Sequence, residues 1–88
     1  MRLNALLYPP IHRFVCSGAS YLLGVKCQKN KLTSLNISGA YGLIQLNCSD
    51  NQIISLDVSK NLALKKLNCS GNKFDCDAIM RRYGLKNN

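Results

Sequence analysis

The sequence predicts a small α/β repeat protein: short units stacked into a solenoid, with a parallel β-sheet on the concave face, an irregular convex wall and a C-terminal capping helix. Three observations lead to this prediction. The chain repeats itself at a constant interval, each repeat contains a short alternation of apolar and polar residues, and an amphipathic stretch follows the last repeat. A compact chain of 88 residues buries only about 60 to 65% of its unfolded surface, so a repeat geometry also suits its length.

The 21-residue period is clearest where residues 43–53 (Leu-Ile-Gln-Leu-Asn-Cys-Ser-Asp-Asn-Gln-Ile) reappear as residues 64–74 (Leu-Lys-Lys-Leu-Asn-Cys-Ser-Gly-Asn-Lys-Phe). The same offset backwards reaches residues 22–32, and the second half of the unit repeats as well, since residues 32–38 match residues 53–59. We therefore divide a single domain, residues 1–88, into four units, of which the outer two are degraded. The units span about 4–24, 25–45, 46–66 and 67–87.

The alternating segments within the units are predicted to be parallel strands. Residues 25–27, 46–48 and 67–69 place their first and third members inward and the middle one outward, as in a β-strand. No unit can bury its apolar face alone, so stacking the units in register produces one continuous sheet. The second half-units, around 35–37 and 56–58, are expected to form the opposite wall in extended or single-turn form, because so short a unit leaves no room for a full helix.

A column of asparagines follows the predicted strands, and its members are Asn30, Asn51 and Asn72. An amide side chain both donates and accepts hydrogen bonds. We therefore expect this column, a structural asparagine ladder, to satisfy backbone groups where the chain bends away from the sheet.

The two ends of the repeat differ. After Asp75 the apolar residues fall at helical spacing, which predicts a capping helix over about 76–84 with Asp75 as its N-cap and Gly84 as its stop. The apolar positions are Cys76, Ile79, Met80 and Tyr83. At the amino end, Asn4 and Pro9 occupy the places of the inward leucine and the ladder asparagine, so this unit is either a cap or the open edge of a truncated domain, which would invite self-association.

The pattern L-x-x-L-x-L/C-x-x-N-x-L, recurring with a short period, resembles the leucine-rich repeat. The 21-residue period, the Cys-Ser-x-Asn tetrad and the segment Leu-Asp-Val-Ser-Lys-Asn at 56–61 are similar to bacterial internalin-like surface proteins. The resemblance implies recognition of other proteins through the concave face. It also implies a fragment or a small member of a longer repeat family, located at the cell surface or secreted if internalin-like and in the cytoplasm otherwise.

The cysteines and the apolar runs bear on compartment and metal binding. The chain has five cysteines, an odd number with no C-x-x-C spacing and no nearby histidine pair, which disfavours a zinc site. Each cysteine occupies an apolar position, so we interpret all five as packing residues. For the three cysteines that lie 21 residues apart, Cys27, Cys48 and Cys69, burial is also expected to raise the thiol pKa. The amino terminus has no signal-peptide pattern, and no apolar run is long enough for a membrane span. These patterns leave the localisation open.

Catalytic motifs are not found in the sequence. His12, the one histidine, has no neighbouring nucleophile or orienting carboxylate in any motif, and Asp50 and Asp57 are expected on different faces of the unit. Residues 38–42, Ser-Gly-Ala-Tyr-Gly, lack the lysine and the strand-to-helix context of a phosphate-binding loop. We therefore predict a protein that is not an enzyme, with no catalytic residue, no metal and no cofactor.

The predicted concave face is the candidate binding surface, and we expect it to bind a protein partner. It consists of Lys26, Gln28, Lys29, Asn47, Ser49, Asp50, Lys65, Lys66, Asn68 and Ser70. The alternative is a polyanion such as nucleic acid, anionic glycan or lipid headgroups, drawn by a net charge of +8. That interpretation uses the basic residues Lys26, Lys29, Lys31, Lys65, Lys66, Lys73, Arg81 and Arg82, which are scattered and not interleaved with exposed aromatics.

Overall fold

The computed structural model describes residues 2–4, 12–15 and 20–87, with the side chains of residues 2–4 left out of the description. These ranges contain six short strands and one helix. The elements are β1 (Arg2–Asn4), β2 (Arg13–Val15), β3 (Gly24–Lys26), β4 (Ser34–Asn36), β5 (Gln45–Asn47), β6 (Lys66–Asn68) and α1 (Cys76–Tyr83). Small parallel sheets with one C-terminal helix confirm the coarse α/β prediction.

The first sheet has the strand order β1-β3-β5-β6, and we refer to it as the sheet wall. All its pairings are parallel. Val25 lies opposite Leu46 and Leu46 opposite Leu67, so the register advances by the 21-residue period of the sequence. At the amino end the expected register is wrong. Leu3, not Asn4, lies opposite Val25, so this pairing is one residue out of the period, while Pro9 falls outside the described residues.

The second half-units form the opposite wall, residues 13–15, 34–36 and 55–57. β2 and β4 pair in parallel there, with Phe14 opposite Leu35. The first two of these segments are strands, which agrees with the extended form expected for this wall, whereas the description of the wall as irregular is wrong for them. Residues 55–57 are not a strand, so the irregular description holds for the third segment alone.

Apolar side chains of both walls meet between them in one core. The buried members include Val25, Leu46 and Leu67 from the sheet wall, each fully buried, and Leu35 and Leu56 from the opposite wall. Cys27, Cys48 and Cys69 add a buried column next to the leucines. The inward positions predicted from the alternation are therefore the ones that build the core.

The cysteines differ from their prediction at one point. Cys69 and Cys76 form a disulfide bond that joins the residue after β6 to the first residue of α1. Cys27 and Cys48 are buried thiols outside the disulfide, as expected, and Cys16 lies outside the described residues. The interpretation of all five as packing thiols is wrong for the bonded pair, because the turn into α1 brings the chain back beside the column.

The helix α1 begins and ends as the sequence predicts. The Asp75 carboxylate accepts a hydrogen bond from the Ala78 N–H at 3.1 Å, and Gly84 adopts a left-handed φ of 64° that closes the last turn. Ile79 and Met80 pack against the core, whereas Tyr83 is 41% exposed. The apolar face of α1 thus covers the last unit with three of its four predicted residues.

Candidate binding surface

The outer face of the sheet wall carries two columns of polar side chains. Lys26, Asn47 and Asn68 are register partners in β3, β5 and β6, so the structure brings these predicted residues together. Gln45 and Lys66 form the second column, and Gln45 was not among the predicted residues. Lysines at positions 26 and 66 are exposed, while the asparagines are half-buried.

A third column, made of the predicted residues Gln28, Ser49 and Ser70, is not a continuous surface. Ser49 is 7% exposed, and its hydroxyl donates to Asn47 Oδ1 at 2.8 Å. Ser70 is exposed but makes the same bond to Asn68, at 2.9 Å. Gln28 is half-buried. A short side chain two residues after an asparagine bonds back to it in an Asx turn, and sequence alternation alone does not reveal this.

The predicted residues Lys29 and Asp50 lie at the edge of the sheet where the chain leaves it. Both are exposed and adopt left-handed φ values of 58° and 57°. Gly71 occupies the equivalent place in the next unit, with φ 70°, where a Cβ would lie 2.3 Å from Asp50 Oδ1. These positions present charged side chains at a bend whose shape the backbone sets.

The asparagine ladder makes the hydrogen bonds that its position in the sequence predicts. Asn51 Nδ2 donates to the carbonyls of Cys27 and Cys48 at 3.1 and 3.0 Å, and Asn51 Oδ1 accepts from the Leu32 N–H at 3.1 Å. Asn72 repeats the pattern one unit later. Asn30 donates to the Cys27 carbonyl at 2.9 Å. The ladder is therefore structural and lies beneath the candidate surface.

A cluster of three lysines, Lys65, Lys66 and Lys86, lies at the edge of the sheet wall formed by its last strand, β6. Lys86 forms a parallel bridge with Lys66, its N–H donates to the Lys65 carbonyl at 3.1 Å, and its carbonyl accepts from the Leu67 N–H at 2.8 Å. Residues paired in this way lie side by side on one face of a sheet. The repeat pattern predicted Lys65 and Lys66 as surface residues, but Lys86 joins them only because the chain returns after α1.

An exposed apolar strip, Tyr21, Leu23, Tyr41 and Ile44, borders the start of β3 and β5 and was missed by the sequence analysis. The two tyrosines are 60% and 62% exposed, and Leu23 and Ile44 are 41% and 40% exposed. The Ile44 N–H donates to the Leu23 carbonyl at 2.8 Å. The turns carrying the tyrosines touch, since a Cβ on Gly42 would lie 2.9 Å from the Ser20 carbonyl oxygen.

Two ionisable side chains, Cys48 and Asp57, have pKa values shifted by their surroundings. Burial, followed by the neighbouring Cys27, raises the pKa of the Cys48 thiol from 9.0 to about 12, so this thiol stays protonated and is a poor nucleophile. Hydrogen bonds from Ser59 hold the pKa of Asp57 below its ordinary 3.8. Within the described residues, no three histidine, cysteine, aspartate or glutamate side chains form a group that could hold a metal ion.

Comparisons with known protein families, curated proteins and solved structures find no match to this chain. Among the ranges that the structure describes, no helix is a candidate to span the lipid bilayer, and α1 has only eight residues.

Proposed function

We propose that the chain is a non-catalytic protein-interaction module, built as a short leucine-rich-repeat solenoid, that binds a protein partner. One observation carries this proposal: the exposed apolar strip lies directly beside the polar outer face of the sheet wall. Tyr21 and Tyr41 supply large, rigid contact area, and tyrosine is enriched among the residues that dominate binding energy at interfaces.

The regular register supports the repeat part of the proposal. The pairs β2–β4, β3–β5 and β5–β6 follow the 21-residue period, and the ladder asparagines bond from one unit back to the one before it. Such stacking produces the extended surface that repeat proteins use for binding. The internalin-like part of the resemblance rests on the sequence patterns at 46–51 and 56–61.

The polar face beside the strip suits the outer zone of an interface. Its exposed lysines, Lys26, Lys29, Lys65 and Lys66, would attract an acidic partner and raise the association rate. A central apolar contact surrounded by a polar rim is the usual arrangement of a protein interface. We therefore expect the partner to be an acidic protein surface with an apolar centre.

The test compares captured partners of three immobilised proteins: the unmodified chain, the double variant Tyr21→Ser/Tyr41→Ser, and the control Ile54→Ser. Ile54 is 67% exposed and lies outside the strip, so the control removes a similar apolar group. Partners are identified by mass spectrometry at about 0.3 M salt, where exposed charge pairs are strongly screened. We expect a partner that the chain and the control retain and the double variant loses. Equal retention by all three would contradict the proposal.

Polyanion binding is the second candidate function, and the pairing of Lys66 with Lys86 favours it. Two lysines side by side on a protein of net charge +8 would contact phosphate or sulfate groups. The test measures heparin affinity against salt concentration for the chain and for Lys86→Ala, with Lys60→Ala as the control, because Lys60 is exposed and is not one of the basic residues of this interpretation. A steep salt dependence that Lys86→Ala weakens and Lys60→Ala leaves unchanged would favour a polyanion as the partner.

A further inference from the structure

A cavity of about 230 Å³ lies between the last turn of the opposite wall and the end of α1. Val58, Asn61 and Leu62 line it from the turn, and Tyr83 and Leu85 line it from the C-terminal segment. Leu62 is 91% exposed, which makes it the most exposed large apolar side chain in the described ranges. Ligand sites for drug-sized molecules measure roughly 300 to 1,000 Å³, so this cavity suits a single side chain.

Asn61 is the polar residue of this cavity, and it is only 4% exposed. Its Nδ2 donates to the carbonyls of Ile37 and Ala40, one unit back, at 2.9 and 3.0 Å. Because both partners can only accept, these bonds define which end of the amide is nitrogen. Asn61 Oδ1 is buried and has no hydrogen-bond partner among the described residues.

The two carbonyls that Asn61 contacts each receive two donors. The Ala40 N–H donates to the Ile37 carbonyl at 3.0 Å and the Leu43 N–H to the Ala40 carbonyl at 3.2 Å, and the Asn61 amide supplies the second donor to each. A primary amide thus bridges the turn of one unit to the turn of the next. A carbonyl oxygen has two lone pairs, so this arrangement satisfies both.

One unit later, the equivalent carbonyls of Val58 and Asn61 each accept a single hydrogen bond, from a backbone N–H of their own turn. The Asn61 N–H donates to the Val58 carbonyl and the Leu64 N–H to the Asn61 carbonyl, both at 3.0 Å. The residue one period after Asn61 is Arg82, which belongs to α1 and not to another turn. Within the described part of the chain, no second donor reaches either carbonyl. The repeat therefore ends with two turn carbonyls that each accept one hydrogen bond, and both belong to residues that line the cavity.

We propose that this cavity binds a neutral primary amide, the group at the end of asparagine and glutamine side chains, supplied by the protein partner. Its NH₂ donates to the Val58 and Asn61 carbonyls, as the Asn61 amide does one unit earlier, while its apolar stem lies against Leu62 and Tyr83. A net charge of +8 disfavours the alternative donors, ammonium and guanidinium groups. The proposal rests on the protein-binding function and names a chemical group that the partner presents.

The experiment is an NMR titration of the isotope-labelled protein with propionamide and, separately, with butanone. Butanone has the same number of heavy atoms, with a methyl group in place of the NH₂. We expect propionamide to shift the signals of Leu62, Tyr83 and Leu85 in a saturable way. Butanone should bind about fivefold more weakly, because it makes no hydrogen bond to the carbonyls. Equal binding of both probes, or saturable shifts located elsewhere, would overturn the proposal, as would the absence of any saturable shift.

Variants separate the cavity from the rest of the molecule. Leu62→Ala removes an exposed side chain of the cavity, and Ile54→Ala, at an exposed apolar residue outside the cavity lining, is the control. We expect Leu62→Ala to weaken propionamide binding at least about threefold and Ile54→Ala to leave it unchanged. If the unmodified protein captures a partner but does not bind propionamide, the cavity proposal alone is refuted. If propionamide binds in the cavity but the double variant Tyr21→Ser/Tyr41→Ser keeps the partner, the proposed partner surface is refuted instead.

Discussion

The two walls of the molecule contain the same four-residue pattern, Leu-Asn/Asp-x-Ser, but they end differently. On the sheet wall the pattern occupies residues 46–49 and 67–70, and on the opposite wall residues 35–38 and 56–59. In all four copies the Asn or Asp Oδ1 accepts a hydrogen bond from the serine N–H two residues later. The sheet wall nevertheless pairs continuously as far as Lys86, whereas strand pairing in the opposite wall ends at β4.

The difference shows that the local pattern shapes a turn but does not by itself produce a strand. A groove of about 340 Å³ lies between β4 and residues 55–57, lined by polar groups that include Thr33, Ser38 and Asp57. A strand needs the backbone of a neighbour within about 4.9 Å, and the third segment of the opposite wall makes no strand pairing with β4. On the sheet wall β6 pairs with β5, and the chain that returns after α1 adds Lys86 on its other side.

The largest effect is expected from a charge in the sheet wall. Leu46 is fully buried, so Leu46→Asp places a carboxylate in the core at a cost of several kcal/mol, comparable with the whole stability of a small domain. We expect loss of the folded circular dichroism spectrum and of any melting transition. Asn47→Asp, one residue away on the outer face, is the control and should fold. A variant that keeps a normal melting transition would mean that the proposed register is wrong.

The next effect concerns the disulfide, which joins the sheet wall to α1 and has no counterpart among the described residues of the opposite wall. Cys76→Ser removes it, and the loop-closure entropy of about eight residues corresponds to about 2.5 kcal/mol. For a chain of this size, the melting temperature should fall by about 10 to 20 °C. A reducing agent should lower the melting temperature of the unmodified protein by a similar amount and leave Cys76→Ser unchanged. Equal melting of the reduced and oxidised protein would contradict this role.

The asparagines of the two walls provide a direct comparison. Asn51 uses both ends of its amide, whereas Asn61 bonds through Nδ2 alone. We expect Asn51→Ala to lower the free energy of unfolding by about 2 to 3 kcal/mol and Asn61→Ala by about 1 kcal/mol. Ala40 occupies the place of Asn61 one unit earlier, so the second variant repeats a residue that the turn already accommodates. Urea denaturation measures both, and the reverse order would contradict the comparison.

The smallest effect is a pH dependence confined to the sheet wall. The pKa of Cys48 is about 12 in the folded protein and about 9.0 in the unfolded chain. The stability that comes from keeping this thiol protonated is therefore fully present below about pH 9 and is lost as the pH rises toward 12. Cys48→Val copies Val58, the residue at this place in the opposite wall. The unmodified protein should lose about 1 kcal/mol more than Cys48→Val between about pH 8.5 and about pH 10. Parallel pH profiles would show that the Cys48 thiol does not titrate differently on folding.

The sequence predicts the features that repeat and the helix that its capping residues mark, and it misses the hydrogen bonds and the disulfide that occur only once. The inward leucines, the ladder asparagines and the bounds of α1 follow from periodicity and capping residues, and the structure has them in place. Asn61 was missed because the equivalent position one unit earlier is Ala40, which leaves no column to recognise. The disulfide was missed because Cys69 belongs to a column of buried thiols and nothing in the spacing distinguishes it.

The candidate surface was predicted in part. Lys26, Asn47 and Asn68 form the expected column, but Ser49 is buried by its bond to Asn47, and the apolar strip went unnoticed. Tyr21 and Tyr41 lie in turns, where the alternation rule does not apply. Exposure in a turn depends on how neighbouring turns pack, and residue order alone does not contain that information.

The sequence by itself determined the period, the inward positions and the capping helix, because each depends on residues close together in the chain or repeated at a constant interval. The tertiary structure alone decided which of the two walls continues as a sheet, which cysteines bond and which asparagine keeps a buried acceptor. Each of these depends on whether another unit lies alongside to supply a partner. The last repeat unit has nearly the same local sequence as the units before it but packs against α1 in place of another unit. The repeat pattern therefore does not predict the contacts that this last unit makes.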